Sequence, residues 1–445
     1  MTHYQTTQGA WGTSSFLLAG AMSSPILGKL ADMHGKRRVL LLAVTGAAVG
    51  AVVSAVAPTF GWFLVGRALQ GLLGPSMFLT YSLMRDVFPP RILELAVSIV
   101  TAGLGIILIP APWVTGWLLD HYGFRGIFWF FAIALVVLAV AIRLTTEEST
   151  VRTATQAVDY LGAVLLGAGL VGVLTGVSFG TDWGCSSART VAFIVAGVAL
   201  LALWVITALR TSEPLIDLRF FARRSVGLTA LASGLGSGMI GGFATLLPIM
   251  VMMPTVAGLG YGFGTSAEGY AIYQAPWSIA SVLAGLGVGF AVRRIGSRRV
   301  LMTSAVPLAL AALGAGLMHD SRGLVVVWAA VFGIGQGLLY SGTANAVIDA
   351  VPASLQGSMA SMVQVVQLAL GAVVPVVLFA IMNGRGVTVV QGAVLYRESG
   401  VTTGFVVLAA VAALAGIAAR WLPHGMGHQA ELPLPAPSQV LAAEA

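Results

Sequence analysis

The sequence predicts an all-α polytopic membrane protein, and three observations impose that class. Of its 445 residues, 58% are hydrophobic and only 9% charged, with a mean hydropathy of +0.93. A water-soluble domain carries about 25% charged residues, so this chain cannot cover a water-facing surface of its size. Apolar runs of about 18 or more residues recur along the whole length, enough for each to cross the hydrocarbon as a helix. The 56 glycines suit helices packed in lipid, where small residues let backbones approach closely.

Other classes fall away. One cysteine, Cys185, excludes an intramolecular disulfide framework. The opening residues MTHYQTTQGA are polar and lack the basic stretch of a secretory signal. A net charge of +7 raises the question of nucleic acid, but the charges sit at the ends of apolar runs. They report topology, and the partner they imply is the lipid bilayer rather than nucleic acid.

Thirteen spans are expected, near residues 11–28, 39–57, 61–84, 93–118, 126–144, 159–179, 190–209, 226–252, 269–291, 300–318, 324–348, 357–382 and 401–421. The distribution of Lys and Arg tests that count. With the first loop in the cytoplasm, that side receives 17 of the 23 basic residues and the other side five, leaving Arg67 inside a span. A wrong count would scramble this alternation. The C-terminus is then cytoplasmic.

An internal repeat organises the spans. Residues 28–38 read GKLADMHGKRR and residues 289–299 read GFAVRRIGSRR, sharing the frame G-x6-G-x-R-R on a short basic loop. Gly28 with Gly35, and Gly289 with Gly296, permit a sharp turn between helices, while Arg37 with Arg38, and Arg298 with Arg299, pin the loop to one face. Repeats of this scale mark transporters. The two copies lie 261 residues apart, where six spans need on the order of 200. The excess fits an added helix pair at 159–179 and 190–209. Four segments follow: a five-span bundle (1–146), a two-span linker (147–210), a six-span bundle (211–422) and a disordered tail (423–445). Five spans before the linker and six after lead to the expectation of a further span ahead of Trp11, hence of an incomplete N-terminus.

These residues resemble the major facilitator superfamily, in particular its fourteen-helix drug:proton antiporter branch. Gly28-Lys-Leu-Ala-Asp32-Met-His-Gly35-Lys-Arg37-Arg38 is similar to the family loop motif G-x3-D-x2-G-[RK]-[RK]-R, and Arg67-Ala-Leu-Gln70-Gly71-Leu-Leu-Gly74 to R-x2-Q-G-x2-[GA]. The antiporter motif G-x3-G-P-x2-G-G survives in degenerate form: Pro112 and Gly116 remain, and three other glycines are lost. Gly123-Phe124-Arg125-x2-Phe128 resembles the Trp-Arg-x2-Phe that follows it. The resemblance implies two bundles rocking about a midplane site in a bacterial-type inner (cell) membrane, in a monomer. It implies proton-coupled efflux of small amphiphilic, drug-like compounds, with protons as coupling ion and no cofactor. In that scheme Arg67, with Gln70, serves proton coupling, and Asp32 gates by bonding helix ends across the bundles. The first span of this branch commonly carries a coupling acid and has no counterpart here.

A mid-membrane charge such as Arg67 costs at least about 2.5–3.5 kcal/mol, so it faces the protein interior. Uncharged polar and aromatic residues within the spans are the candidates for a substrate cavity: Tyr81, Tyr273, Gln274, Trp277, Gln336, Asn345 and Gln367. Interhelical hydrogen bonding is the alternative use for each. The six histidines show no metal-ligand spacing, and Gly167-Ala-Gly169-Leu-Val-Gly172 lies in an apolar span, where it reads as helix packing rather than a dinucleotide loop. No catalytic set converges, so an enzyme is not expected. The rival readings are a transporter dedicated to one metabolite and, from another class, a non-transporting membrane protein.

Overall fold

The computed structural model describes residues 3–89, 107, 109–149, 159–184, 186–211, 214, 218–221, 224–255, 260–350, 356–385, 387–390 and 393–423. Before the expected linker come α1 (His3–His34), α2 (Lys36–Val56), α3 (Phe60–Gln70), α4 (Ser76–Val87) and α5 (Ala111–Thr145). Within the expected linker lie α6 (Tyr160–Trp183) and α7 (Ala188–Arg210), and the short α8 (Leu218–Phe221) leads on. Then follow α9 (Arg224–Met252), α10 (Ala271–Ile295), α11 (Ser297–Leu317), α12 (Arg322–Ala350), α13 (Gln356–Gly384) and α14 (Glu398–Arg420). Most of the expected span at 93–118, and the tail from 424, lie outside the described residues.

Ten of these helices are long and apolar enough to cross a membrane. Large apolar side chains face outward, among them Leu42, Val137, Val195, Leu283 and Val306, while Ser14, Ser54, Thr229 and Ser233 are fully buried. That inversion of the soluble pattern is what lipid as solvent demands. The expected span at 61–84 is broken. Gly71–Leu73 form a 3-10 turn between α3 and α4, and Pro75 cannot donate to a continuous ladder. α5 bends at Gly123, whose φ of +66° is non-helical, and this is where two spans were separated in the sequence.

α2 packs on α3 and α5, while α9 packs on α13 and α14 and α10 on α12. The helices α6 and α7 pair with each other, and α6 also touches α1 and α13. Across the two halves α1 lies along α13, where Ser14 Oγ donates to the Ala372 carbonyl at 2.9 Å. The loop between α13 and α14 holds an element that hydropathy did not reveal. It is an antiparallel hairpin, β1 (Val387–Val390) and β2 (Ala393–Tyr396), with Val387 opposite Tyr396. The Tyr261 hydroxyl donates to the Tyr396 carbonyl at 2.6 Å and ties this hairpin to the segment before α10.

Candidate functional site

Arg67 sits in the last turn of α3, directed into the protein. Its Nε donates to the Gly12 carbonyl of α1 at 2.9 Å, and its Nη1 to Gln70 Oε1 at 2.6 Å. Gln70, only 5% exposed, donates in turn to Ser54 Oγ of α2 at 3.0 Å. The guanidinium lies 5.0 Å from the Phe16 ring and 5.7 Å from that of Phe128. A carbonyl, an amide and two ring faces thus hold the cation in a low-dielectric setting. The sequence motifs containing Arg67 and Phe128 meet here in space. The spacing i, i+3 puts Gln70 within reach of Arg67 on one helix face.

The first-repeat loop forms a second cluster at the basic end of the helices. Gly35 takes φ +110° and lets α1 turn directly into α2. Lys36 is buried and pairs with Asp86 of α4 at 2.5 Å, and Ser149 Oγ donates to the same carboxylate at 2.5 Å. Asp32 lies nearby with its residue open to solvent on one side. Desolvation by the crowded helix ends holds its carboxyl above the ordinary carboxylate value; Lys36 opposes this shift and Asp86 adds to it. Glu148 accepts from the amides of Arg37 at 2.9 Å and Arg38 at 3.1 Å, capping α2 with a charge from the far end of α5. Arg37 Nη2 donates to the Arg143 carbonyl. Asp86, Glu148 and Ser149 were missed in the sequence. The available signal was that a run of three basic residues needs counter-charge from neighbouring span ends.

The second-repeat loop repeats the turn. Gly289 lies within α10, Gly296 takes φ +78° before α11, and Arg298 Nη2 donates to the Arg420 carbonyl at 2.5 Å. Arg299 is exposed.

At the opposite end, Pro112 and Gly116 lie buried in the first turns of α5. A Cβ on Gly116 would stand 2.5 Å from the Ala267 carbonyl oxygen and 2.6 Å from Glu268 Cα, so glycine is what permits this approach. One turn on, Asp120 accepts from the amides of Ala267 at 3.1 Å and Glu268 at 2.8 Å. Ser266 Oγ takes the next amide, that of Gly269, at 3.0 Å. The turn that leads into α10 is therefore capped jointly, two of its three leading donors being held by a carboxylate from the other half of the chain.

The remaining candidates divide between helices. Trp277 is buried and donates to Gln336 Oε1 at 2.5 Å, with its ring edge-on to Phe243 and Phe332. Tyr273 is buried and stacks at 6.4 Å on Phe263, while Gln274 and Gln367 are half-buried. Asn345 Nδ2 donates to the Ser341 carbonyl at 2.7 Å. Tyr81 lies on α4, and its side chain is outside the described residues. Gln364, one turn before Gln367, donates to the Gly74 carbonyl at 2.8 Å and links α13 to the break between α3 and α4.

Paired repeats, lipid-facing apolar helices and a half-buried arginine held among α1, α3 and α5 define a multi-pass transport protein. The profile of the Major Facilitator Superfamily matches residues 2–375, and the chain belongs to that family. It is 26% identical over 394 residues to the tetracenomycin C resistance and export protein of Streptomyces glaucescens, covering 86% of this chain and 70% of that one. The fatty acid resistance protein FarB of Neisseria gonorrhoeae is 29% identical over 68% of this chain and 59% of its own length. A multidrug resistance protein B homolog of Mycobacterium tuberculosis is 27% identical over 74% of this chain and 60% of its own. The chain thus spans less than two thirds of the latter two. Among solved structures, the POT family transporter PepTSo superposes with a TM-score of 0.66 at 17% identity, covering 96% of this chain and 91% of that one. That likeness concerns the fold. This protein is a transporter of the family rather than an enzyme.

Proposed function

We propose that this transporter exports small amphiphilic compounds across the cell membrane in exchange for protons, with its C-terminus in the cytoplasm. The observation that carries the reading is the Arg67–Gln70–Ser54 chain, a half-buried cation wired across α1, α2 and α3 with aromatic faces around it. A charge so held shifts the affinity of nearby groups for protons and couples that affinity to helix position. Segments 1–146 and 211–422 move as the two rocking bundles, with 147–210 as linker. The Asp32–Lys36–Asp86 cluster is the gate at the basic end, and Gly116 with Asp120 closes the opposite end. Tyr273, Gln274, Trp277, Gln336, Asn345 and Gln367 face the substrate path in this scheme.

A reading of one dedicated compound draws on the Streptomyces relative, whose name specifies a single compound. A panel of substrates separates the two. Expressed in cells lacking their own exporters, the chain is expected to lower retention of a fluorescent cation, and collapsing the proton gradient to restore it. Arg67→Ala is expected to abolish this efflux. Retention that ignores the gradient counts against proton coupling, and undiminished efflux in Arg67→Ala removes that residue from the mechanism.

A further inference from the structure

The span that carries Arg67 is broken near its middle, and both halves of the chain meet at the break. Pro75 has no N–H, so the Gly71 carbonyl lacks the donor that a continuous helix would place four residues on. It accepts instead from the Gly74 amide at 2.8 Å and from the Ser23 hydroxyl of α1 at 3.5 Å. The Gly74 carbonyl receives Nε2 of Gln364, on α13 in the other half, at 2.8 Å. α1 meets the break at close range, since a Cβ on Gly74 would stand 2.8 Å from Gly20 Cα. Leu368, one turn after Gln364, comes within 3.4 Å of the Cβ position at Gly20. The break also joins two groups of the proposed mechanism. On its α3 side the Gly71 amide reaches back to the Arg67 carbonyl, and on its α4 side lies Asp86, paired with Lys36.

We infer that Gln364 is a positioning residue: its side-chain amide, offered by one half, holds the break in the other half and so sets the angle between α3 and α4. The inference rests on the movement of the two halves proposed above. A break in a membrane-spanning helix is tolerated where neighbouring helices satisfy the freed backbone groups, and Gln364 does so from across the halves. Separation of α1 from α13 takes that amide away from the Gly74 carbonyl, and a carbonyl stripped of its donor at this depth is costly. α3 and α4 then settle at a new angle, which shifts Arg67 against Gly12 and Phe128 and carries Asp86 against Lys36. The rocking of the halves is thus read at the break and passed to both charges. Ser14 ties α1 to α13 along the same crossing, but through the Ala372 carbonyl rather than the break.

The test follows amide hydrogen exchange by mass spectrometry in the purified full chain in lipid nanodiscs, with rates corrected for pH. Gln364→Leu removes the donor at similar size. The amides from Gly74 to Leu79 are then expected to exchange about 3- to 18-fold faster, the range for one interhelical hydrogen bond in a membrane protein. Ser14→Ala removes the other bond between α1 and α13 and is expected to leave these amides within twofold of the parent. Gln364→Glu, whose protonated carboxyl still donates, is expected to match the parent within twofold at pH 5, a rescue that separates loss of the bond from loss of fold. The inference is overturned if Gln364→Leu stays within twofold of the parent, or if Ser14→Ala speeds these amides as much as Gln364→Leu does. It is equally overturned if Gln364→Glu at pH 5 is no better protected than Gln364→Leu. The exchange readout involves no transport. Wild-type efflux that ignores the proton gradient therefore counts against the proposed function alone and leaves these rates to decide the inference.

Discussion

Asp120 offers a direct measure of how firmly the end opposite the basic loops is closed. Its carboxylate holds two amides of the turn that opens α10, while Gly116 one turn away lets the two backbones touch. A hydrogen bond to a charged group contributes about 1.5–3 kcal/mol when well shielded. Asp120 is exposed, so the helix-capping range of about 1–2 kcal/mol is the appropriate scale. Removing it in Asp120→Ala should raise the population with this end apart by roughly 5- to 30-fold. A cysteine at Ala267, which is 8% exposed in the closed arrangement, reports that population once Cys185 is replaced by serine. Labelling by a membrane-impermeant maleimide should accelerate by the same factor, with Asp120→Asn intermediate because it keeps one neutral acceptor. A labelling rate within twofold of the parent would show that the bidentate contact does not hold this end closed, and the reasoning fails.

Gly116→Ala should open the same end by a different route, since its methyl group would collide with the Ala267 carbonyl. Overpacking of about 1–3 kcal/mol predicts faster labelling even with Asp120 intact, and unchanged labelling would mean the backbones separate without cost. Glu148→Ala strips the cap from α2, and hydrogen exchange at the Arg37 and Arg38 amides should quicken by roughly 5- to 30-fold while the core of α2 stays protected. Asp32 tests the electrostatics of the basic end. Its folded carboxyl is raised above the ordinary value, so the folded state binds more protons than the unfolded one, and its contribution to stability declines as pH rises through that range. Asp32→Asn should therefore raise the thermal midpoint in detergent at neutral pH and leave it unchanged below the unfolded carboxyl value; a fall at neutral pH would refute the assignment.

Much of this architecture was legible in one dimension because lipid imposes simple rules. Span length, the sidedness of Lys and Arg, and the glycine frames at Gly35 and Gly296 all follow from local composition. Both glycines do adopt left-handed φ at the helix turns they were expected to make. Local reasoning also marked Arg67 and Gln70, because a charge inside an apolar run is costly and i, i+3 spacing is short-range. It did not show the broken span around Gly71–Pro75 or the hairpin at 387–396, whose strands are four residues each and whose pairing depends on neighbours.

What the chain's own order of residues determined was therefore the class of protein, the succession of helices and the repeat that relates its halves. Only the tertiary structure decided which charges meet. Asp86 finds Lys36 from 50 residues away, Glu148 caps α2 from 111, and Asp120 reaches the turn before α10 from 147. Periodicity and hydropathy read interactions between a residue and its solvent, whereas these contacts are fixed by how helices pack against one another. The same packing leaves Arg224, Arg298 and Arg420 around one cavity, where the sequence alone shows three basic residues at separate span ends.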